Sequence, residues 1–323
     1  MKKRNKALIS LAALLAAAAF AGCAKNIPAE PAPALQSGVF TIEDEAVALA
    51  DSPAAVPTSV DAEAAGSAVR ENGYAKIDYS HAESGYIMVR YTAATEKKLK
   101  VQLSGPTTKY TYNLTPEEWA TFPLSDGSGE YKISVFRNVE DNKYASVLSF
   151  TTTVELESEF MPFLHANQYV DYDSAPNTVA LAAELLADAR NTVEKVERVY
   201  DYVVASISYD RELAASVKSG YLPVLDEVLE KKTGICFDYA ALMTGMLRSQ
   251  GVPCKLVVGY AGSAYHAWIS VWTEESGWVD GVIFFDGESW QRMDPTFASS
   301  GGGNEEIMRY IGDGANYSAK YFY

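Results

Sequence analysis

An α+β fold in two folded parts is what the apolar pattern of this 323-residue chain predicts. Between residues 72 and 155 apolar side chains recur with period two, the mark of strands with one buried face. Between 179 and 250 they recur with helical spacing, and beyond 255 the period returns to two. Helices followed by strands within one segment give the α+β order, whereas a parallel sheet would need strands and helices to alternate.

The chain opens on a targeting segment. Lys2, Lys3, Arg4 and Lys6 form a basic start, followed by the apolar run Ala7–Ala21. That run is shorter than the ~20 residues a spanning helix needs, which fits a signal peptide over residues 1–22. Ala21-Gly22-Cys23 resembles the site at which bacterial lipoprotein precursors are cut before the cysteine is acylated. This reading makes Cys23 the lipidation site and the protein an exported lipoprotein, anchored to a membrane at the bacterial cell envelope. An ordinary signal peptide with an incidental cysteine is the alternative. Residues 23–71 are dominated by Ala, Pro, Ser, Asp and Glu, with Phe40 as the one aromatic. Such a stretch buries too little apolar surface to offset its ordering entropy, so a disordered tether is expected.

Residues 72–155 read as a small β-sandwich of immunoglobulin-like type. Leu99, Val101 and Leu103 alternate with Lys98, Lys100 and Gln102, and Tyr131, Ile133 and Val135 alternate with Lys132 and Ser134. Gly105-Pro106 and Ser125-Asp126-Gly127 mark turns. His81 stands without a base or ligand partner at a useful spacing, so this part reads as a spacer or binding module.

Residues 156–323 form the second part. Helices are expected over Val179–Ala189, Thr192–Ser206, Val224–Lys231 and Phe237–Gln250, with Asn191 and Glu194 as a capping box and Gly251 as a stop. Strands are expected over Lys255–Tyr260, Tyr265–Thr273, Val279–Phe285 and Ser289–Met293, with Asp286-Gly287 as a hairpin turn. The segment Gly259–Ala264 reads as a small, flexible loop.

Three residues here carry chemistry. Cys236 follows a glycine turn and opens a helix, where the macrodipole and unsatisfied N–H groups favour a thiolate and can hold an oxyanion. His266 lies in an alternating strand that puts it on one face with Trp268 and Ser270, and Tyr265, Ala267 and Ile269 on the other. Asp294 closes the last expected strand and could orient the imidazole. A metal site from these three is the alternative, but single, widely spaced ligands lack the paired spacing of such sites. Cys254 is the rival partner for Cys236. A helix of about fourteen residues would hold the two ~20 Å apart, beyond the ~7 Å a disulfide allows.

From about Tyr200 to Pro295 the sequence resembles the transglutaminase-like superfamily, a papain-related fold with a Cys–His–Asp triad in that order. The resemblance rests on Gly234-Ile235-Cys236-Phe237-Asp238-Tyr239-Ala240, Gly251-Val252-Pro253, His266-Ala267-Trp268 and Asp294-Pro295-Thr296. It implies a papain-like C-terminal core with Cys236, His266 and Asp294 as catalytic residues. Tyr209 is the candidate oxyanion donor, since a side chain upstream of the cysteine often serves in that family. It implies thioester formation at Cys236 from peptide or protein amides, and the small loop Gly259–Ala264 beside the histidine favours hydrolysis slightly over amine transfer. A cross-linking transglutaminase and a non-catalytic surface binding lipoprotein are the alternatives. No cofactor and no metal is expected. The net charge of −15 argues against nucleic acid and against a polybasic membrane contact, leaving a protein or peptide substrate and the lipid anchor.

Overall fold

The computed structural model describes residues 62–274, 276–280 and 317–323, with the backbone of 284–285 and 290–291. The expected signal peptide, Cys23, the tether up to residue 61, the Asp286-Gly287 turn and Asp294 lie outside the described residues.

Eight strands make the first part: β1 (Val69–Glu71), β2 (Ala75–Asp78), β3 (Tyr86–Tyr91), β4 (Leu99–Ser104), β5 (Lys109–Leu114), β6 (Trp119–Pro123), β7 (Gly129–Glu140) and β8 (Lys143–Val154). They form two antiparallel four-stranded sheets, β1-β2-β3-β6 and β5-β4-β7-β8. The period-two pattern buries Leu99, Val101 and Leu103 of β4 and Tyr110, Tyr112 and Leu114 of β5 while their neighbours stay in contact with water. Tyr112 meets Phe122 of β6 edge-on at 5.0 Å and so joins the two sheets. Ordered chain begins before residue 72. The amide of Glu63 donates to Tyr86 Oη (3.2 Å), that of Gly66 to Asp78 Oδ2 (2.7 Å), and that of Ala68 to Ser80 Oγ (3.0 Å). These bonds use backbone donors, which composition does not reveal.

The second part runs α1 (Pro176–Leu186), α2 (Thr192–Ser206), β9 (Ser208–Tyr209), α3 (Arg211–Ser216), α4 (Leu225–Lys231), β10 (Thr233–Gly234) and α5 (Cys236–Ser249). Then come β11 (Cys254–Ala261), β12 (Ala264–Thr273), β13 (Gly277–Asp280), β14 (Phe284–Phe285), β15 (Trp290–Gln291) and β16 (Tyr317–Phe322). The main sheet has the order β13-β12-β11-β16 and is antiparallel throughout. The cap of α2 is half of the expected box: Asn191 Oδ1 accepts the Glu194 amide, but Glu194 Oε2 accepts the amide of Arg190 instead of reaching back to Asn191. The α5 helix is buried along its whole length and ends at Gly251, whose φ of +74° suits glycine. Gly251 N–H donates to Arg248 O (2.9 Å) and Val252 N–H to Leu247 O (3.0 Å), the two bonds of a Schellman motif.

One expectation needs correcting. Gly259–Ala264 is not a flexible loop: Gly259 lies in β11, and Ala261 pairs with Ala264 across the two-residue turn Gly262-Ser263. The two parts are joined by aromatic contacts. Tyr110 and Tyr112 of the sandwich meet Tyr323 edge-on at 5.8 and 6.0 Å, and Tyr112 approaches Tyr169 at 5.8 Å. One apolar core therefore runs through both parts. Arg248 of α5, wholly buried, donates from Nε to Cys254 O (2.7 Å), from Nη1 to His165 O (2.8 Å) and from Nη2 to Tyr323 O. It thereby ties the helix, the sheet and the segment leading from the sandwich.

Candidate active site

The nucleophile's position follows from a short parallel ladder. Tyr209 of β9 pairs with Gly234 of β10, and Asp210 N–H donates to Gly234 O at 2.9 Å. Two residues later Cys236 begins α5 and is buried. The amides of Cys236 and Phe237 stand in the first turn, where a helix offers no internal acceptor, so they are oriented donors for an anion beside the sulfur. Further along, Tyr239 Oη donates to Ile207 O at 2.6 Å and pins the helix to the chain entering β9. Tyr209, the candidate oxyanion donor, is half-buried and sits on the ladder that delivers Cys236.

His266 lies near the start of β12, opposite Gly259 of β11, and is buried. Its ring stacks with Trp268 at 6.2 Å and approaches Tyr317 of β16 at 6.2 Å, so the expected sharing of a face by His266 and Trp268 is observed. Gly259 is required here by close approach. A Cβ at that position would stand 2.1 Å from Ser318 O and 2.8 Å from the Trp268 indole. The α5 helix packs on β11 and β12. Burial pushes the Tyr265 hydroxyl up to about 12, and Cys236 is among the groups that add to the rise. Tyr265 therefore remains a neutral O–H at physiological pH. The strand that carries His266 thus packs on the helix that Cys236 opens. Asp294, the expected third member, lies outside the described residues.

Cys254 plays no part in this. Both Cys236 and Cys254 are free thiols, as the length of α5 requires. Cys254 Sγ donates to Thr244 Oγ1 at 3.6 Å, and burial pushes its thiol up to about 11, which keeps it protonated and inert. Among the described residues no group of three or more His, Cys, Asp or Glu side chains is placed to hold a metal ion.

Residues that the sequence reading passed over also belong here. Asp238, wholly buried, accepts the Ile235 amide through Oδ2 and the Tyr221 hydroxyl through Oδ1, each at 2.8 Å. A Ser, Thr or Asn at the cap position would have drawn attention to it. Ile235 occupies that position and has no side-chain acceptor.

Residues 179–295 match the transglutaminase-like superfamily. This segment is similar to a transglutaminase-like domain. The match runs from within α1 past β15 and includes Cys236, His266 and Asp294. The chain is 27% identical over 178 residues to the protein YebA of Bacillus subtilis strain 168, covering 49% of this chain and 24% of that one. It is 31% identical over 68 residues to the protein-glutamine gamma-glutamyltransferase of Pseudomonas aeruginosa, covering 17% of this chain and 10% of that one. It is 29% identical over 121 residues to the kyphoscoliosis peptidase of Mus musculus, covering 32% of this chain and 18% of that one. The chain thus spans at most about a quarter of the length of these relatives.

Proposed function

We propose that the protein is a cysteine-dependent acyl-transfer enzyme of the cell envelope that acts on peptide or protein amides, with hydrolysis as its main outcome. The position of Cys236 at the buried head of α5, a helix packed on the strand that carries His266, supports this reading. In the proposed reaction the Cys236 sulfur attacks the amide carbonyl while His266 takes the thiol proton. The carbonyl oxygen becomes an oxyanion facing the first amides of α5, with Tyr209 as the candidate additional donor. The C–N bond then breaks, His266 returns the proton to the departing amine or ammonia, and an acyl-Cys236 thioester remains. Asp294 orients the imidazole. Water, deprotonated by His266, attacks the thioester, the C–S bond breaks, and a free acid leaves with the thiol restored.

The turn Gly262-Ser263 supports the hydrolytic outcome, because a two-residue connection raises no insertion over this end of β11 and β12. Among the relatives, one name is that of a peptidase and another that of a gamma-glutamyltransferase, so the family chemistry supports thioester formation in either direction. The envelope location rests on Cys23 as a lipid anchor. Trapping an acyl group on Cys236 from an envelope extract, identified by mass spectrometry of the Cys236 peptide, tests the chemistry. Release of Cys23→Ser into the soluble fraction tests the anchor. An unmodified Cys236, or a Cys23→Ser variant that stays on the membrane, would overturn the corresponding half.

A further inference from the structure

We propose that Asp238 and Tyr221 form a positioning pair for Cys236, holding the turn Gly234-Ile235-Cys236 so that the sulfur and the first amides of α5 keep one direction. This rests on the thiol-enzyme reading above. The two oxygens of the Asp238 carboxylate have separate duties: Oδ2 takes the Ile235 amide and Oδ1 takes the hydroxyl of Tyr221, both at 2.8 Å. The first donor lies in the turn itself, the second in the loop between α3 and α4. Two donors from separate segments fix the rotation of the carboxylate, and through it the turn one residue before the nucleophile.

Gly234 makes room for this arrangement. A Cβ there would stand 2.6 Å from Asp238 Cβ and 3.0 Å from Oδ2, so the aspartate occupies space that any side chain at 234 would take. The other side of the turn is held by the pairing of Gly234 with Tyr209 and by the bond from Asp210 N–H to Gly234 O. The turn is therefore gripped on both sides, by backbone on one and by the carboxylate on the other.

Capping alone does not account for an aspartate here. A hydroxyl or amide side chain at the cap position would satisfy the helix end without burying a charge. Asp238 is wholly buried, and no ion pair within 4.0 Å reaches it among the described residues. A buried carboxylate without a cation is a costly acceptor. Burial pushes its carboxyl above the usual carboxylate range, and the Ile235 amide and Tyr221 hydroxyl pull it back. What the carboxylate provides over a neutral cap is two strong acceptors in a fixed plane, directly behind the nucleophile. Displacing a reacting atom by about 1 Å can cost on the order of 100-fold in rate, so such a grip acts on function as well as on folding.

The test is the rate at which iodoacetamide alkylates Cys236 in the full chain at neutral pH, read by mass spectrometry with buried Cys254 as an internal reference. Thermal midpoints are measured alongside. Tyr221→Phe removes one donor and should slow alkylation by several-fold with little change in midpoint. Asp238→Ala should slow it by about tenfold or more, and Asp238→Asn, which keeps an acceptor for Ile235, should recover part of the loss. Lowered midpoints with unchanged alkylation in Tyr221→Phe and Asp238→Asn would show a cap only and overturn the pair. If Cys236 of the unaltered chain reacts no faster than Cys254, the thiol-enzyme reading fails first and the positioning role with it.

Discussion

Tyr323 and Tyr112 meet edge-on, ring centroids 6.0 Å apart, although one ends the described chain beside β16 and the other lies in the middle of the sandwich. Tyr169 packs against Tyr323 at 4.1 Å and carries the contact on toward Phe237, the residue after the nucleophile. The aromatic layer between the two parts is thus continuous with the head of α5.

A chain cut to begin at residue 157 would lose Tyr110 and Tyr112 and expose Tyr169, Tyr321 and Tyr323. The expected outcome is aggregation, or a thermal midpoint well below that of the full chain, seen by size-exclusion chromatography and thermal denaturation. In the full chain Tyr112→Ala should cost about 3–5 kcal/mol, as for other large-to-small changes in a core. Tyr112→Phe should be neutral or stabilising, because the Tyr112 hydroxyl is buried without a hydrogen-bond partner among the described residues. A truncated chain as stable as the whole would remove the case for a shared core.

The proposed triad sets an order of losses. Cys236→Ala should abolish acyl transfer, and His266→Ala should come close to it. Asp294→Ala should be milder, because a mis-oriented imidazole still takes a proton. Cys254→Ser should leave turnover within about twofold, since Cys254 contacts Thr244 inside the core. Turnover of a chromogenic amide checks the series. Equal damage from Cys254→Ser and Cys236→Ser would point to a shared disulfide or metal.

Alkaline pH should unfold the protein cooperatively. Burial is the first cause in each case: it pushes Tyr169 and Tyr265 up to about 12 and Cys254 up to about 11. Tyr112 and Tyr323 are raised as well. In the unfolded chain these groups lose their protons near 10 and 9, while the folded chain retains them. The unfolded state then binds fewer protons, so stability falls as pH rises through roughly 9 to 12. Lys255, which burial lowers to about 8, and Arg248, lowered to about 10, act in the opposite direction, but the raised groups outnumber them. The Lys255 ammonium lies 3.5 Å from the Trp278 ring centroid, and Asp280 and Glu159 oppose the lowering. The last part of the tyrosinate absorbance should rise together with the loss of circular dichroism. A tyrosinate titration that is complete before unfolding would contradict the burial of these rings.

Much of this was legible in the sequence for local reasons. The α5 helix shows at both ends, through the glycine turn before Cys236 and through Gly251 after Gln250, and its length alone separates Cys236 from Cys254. The alternation in β4, β5, β7 and β12 states which side chains are buried. It does not state what covers them. Tyr110 and Tyr112 alternate with Lys109, Thr111 and Asn113, yet nothing local indicates that their partners are Tyr169, Tyr321 and Tyr323, more than fifty residues away. The β16 strand escaped for the same reason, since its pairing with β11 closes a long connection. Asp238 was hidden by Ile235, which places an apolar side chain where a capping pattern would show a polar one.

The last prediction concerns the fate of the thioester. Hydrolysis and transfer share every step up to acyl-Cys236, so the three proposed catalytic residues act alike in both, and the outcome depends on whether water or an amine reaches the carbonyl. A transferase must guide an amine and exclude water, which calls for a walled apolar channel beside the sulfur. Of the aromatic side chains around His266, Trp268 is already buried against His266 and Tyr317. Tyr265 is half-buried, and burial pushes its hydroxyl up to about 12. The tight Gly262-Ser263 turn adds no lid. With a glutamine-containing peptide and millimolar primary amine, the chain without its first 22 residues should therefore release more free acid than amine adduct, measured by mass spectrometry of the peptide. Predominant amine incorporation would place a guarded acceptor channel at this site and make the protein a cross-linking transglutaminase.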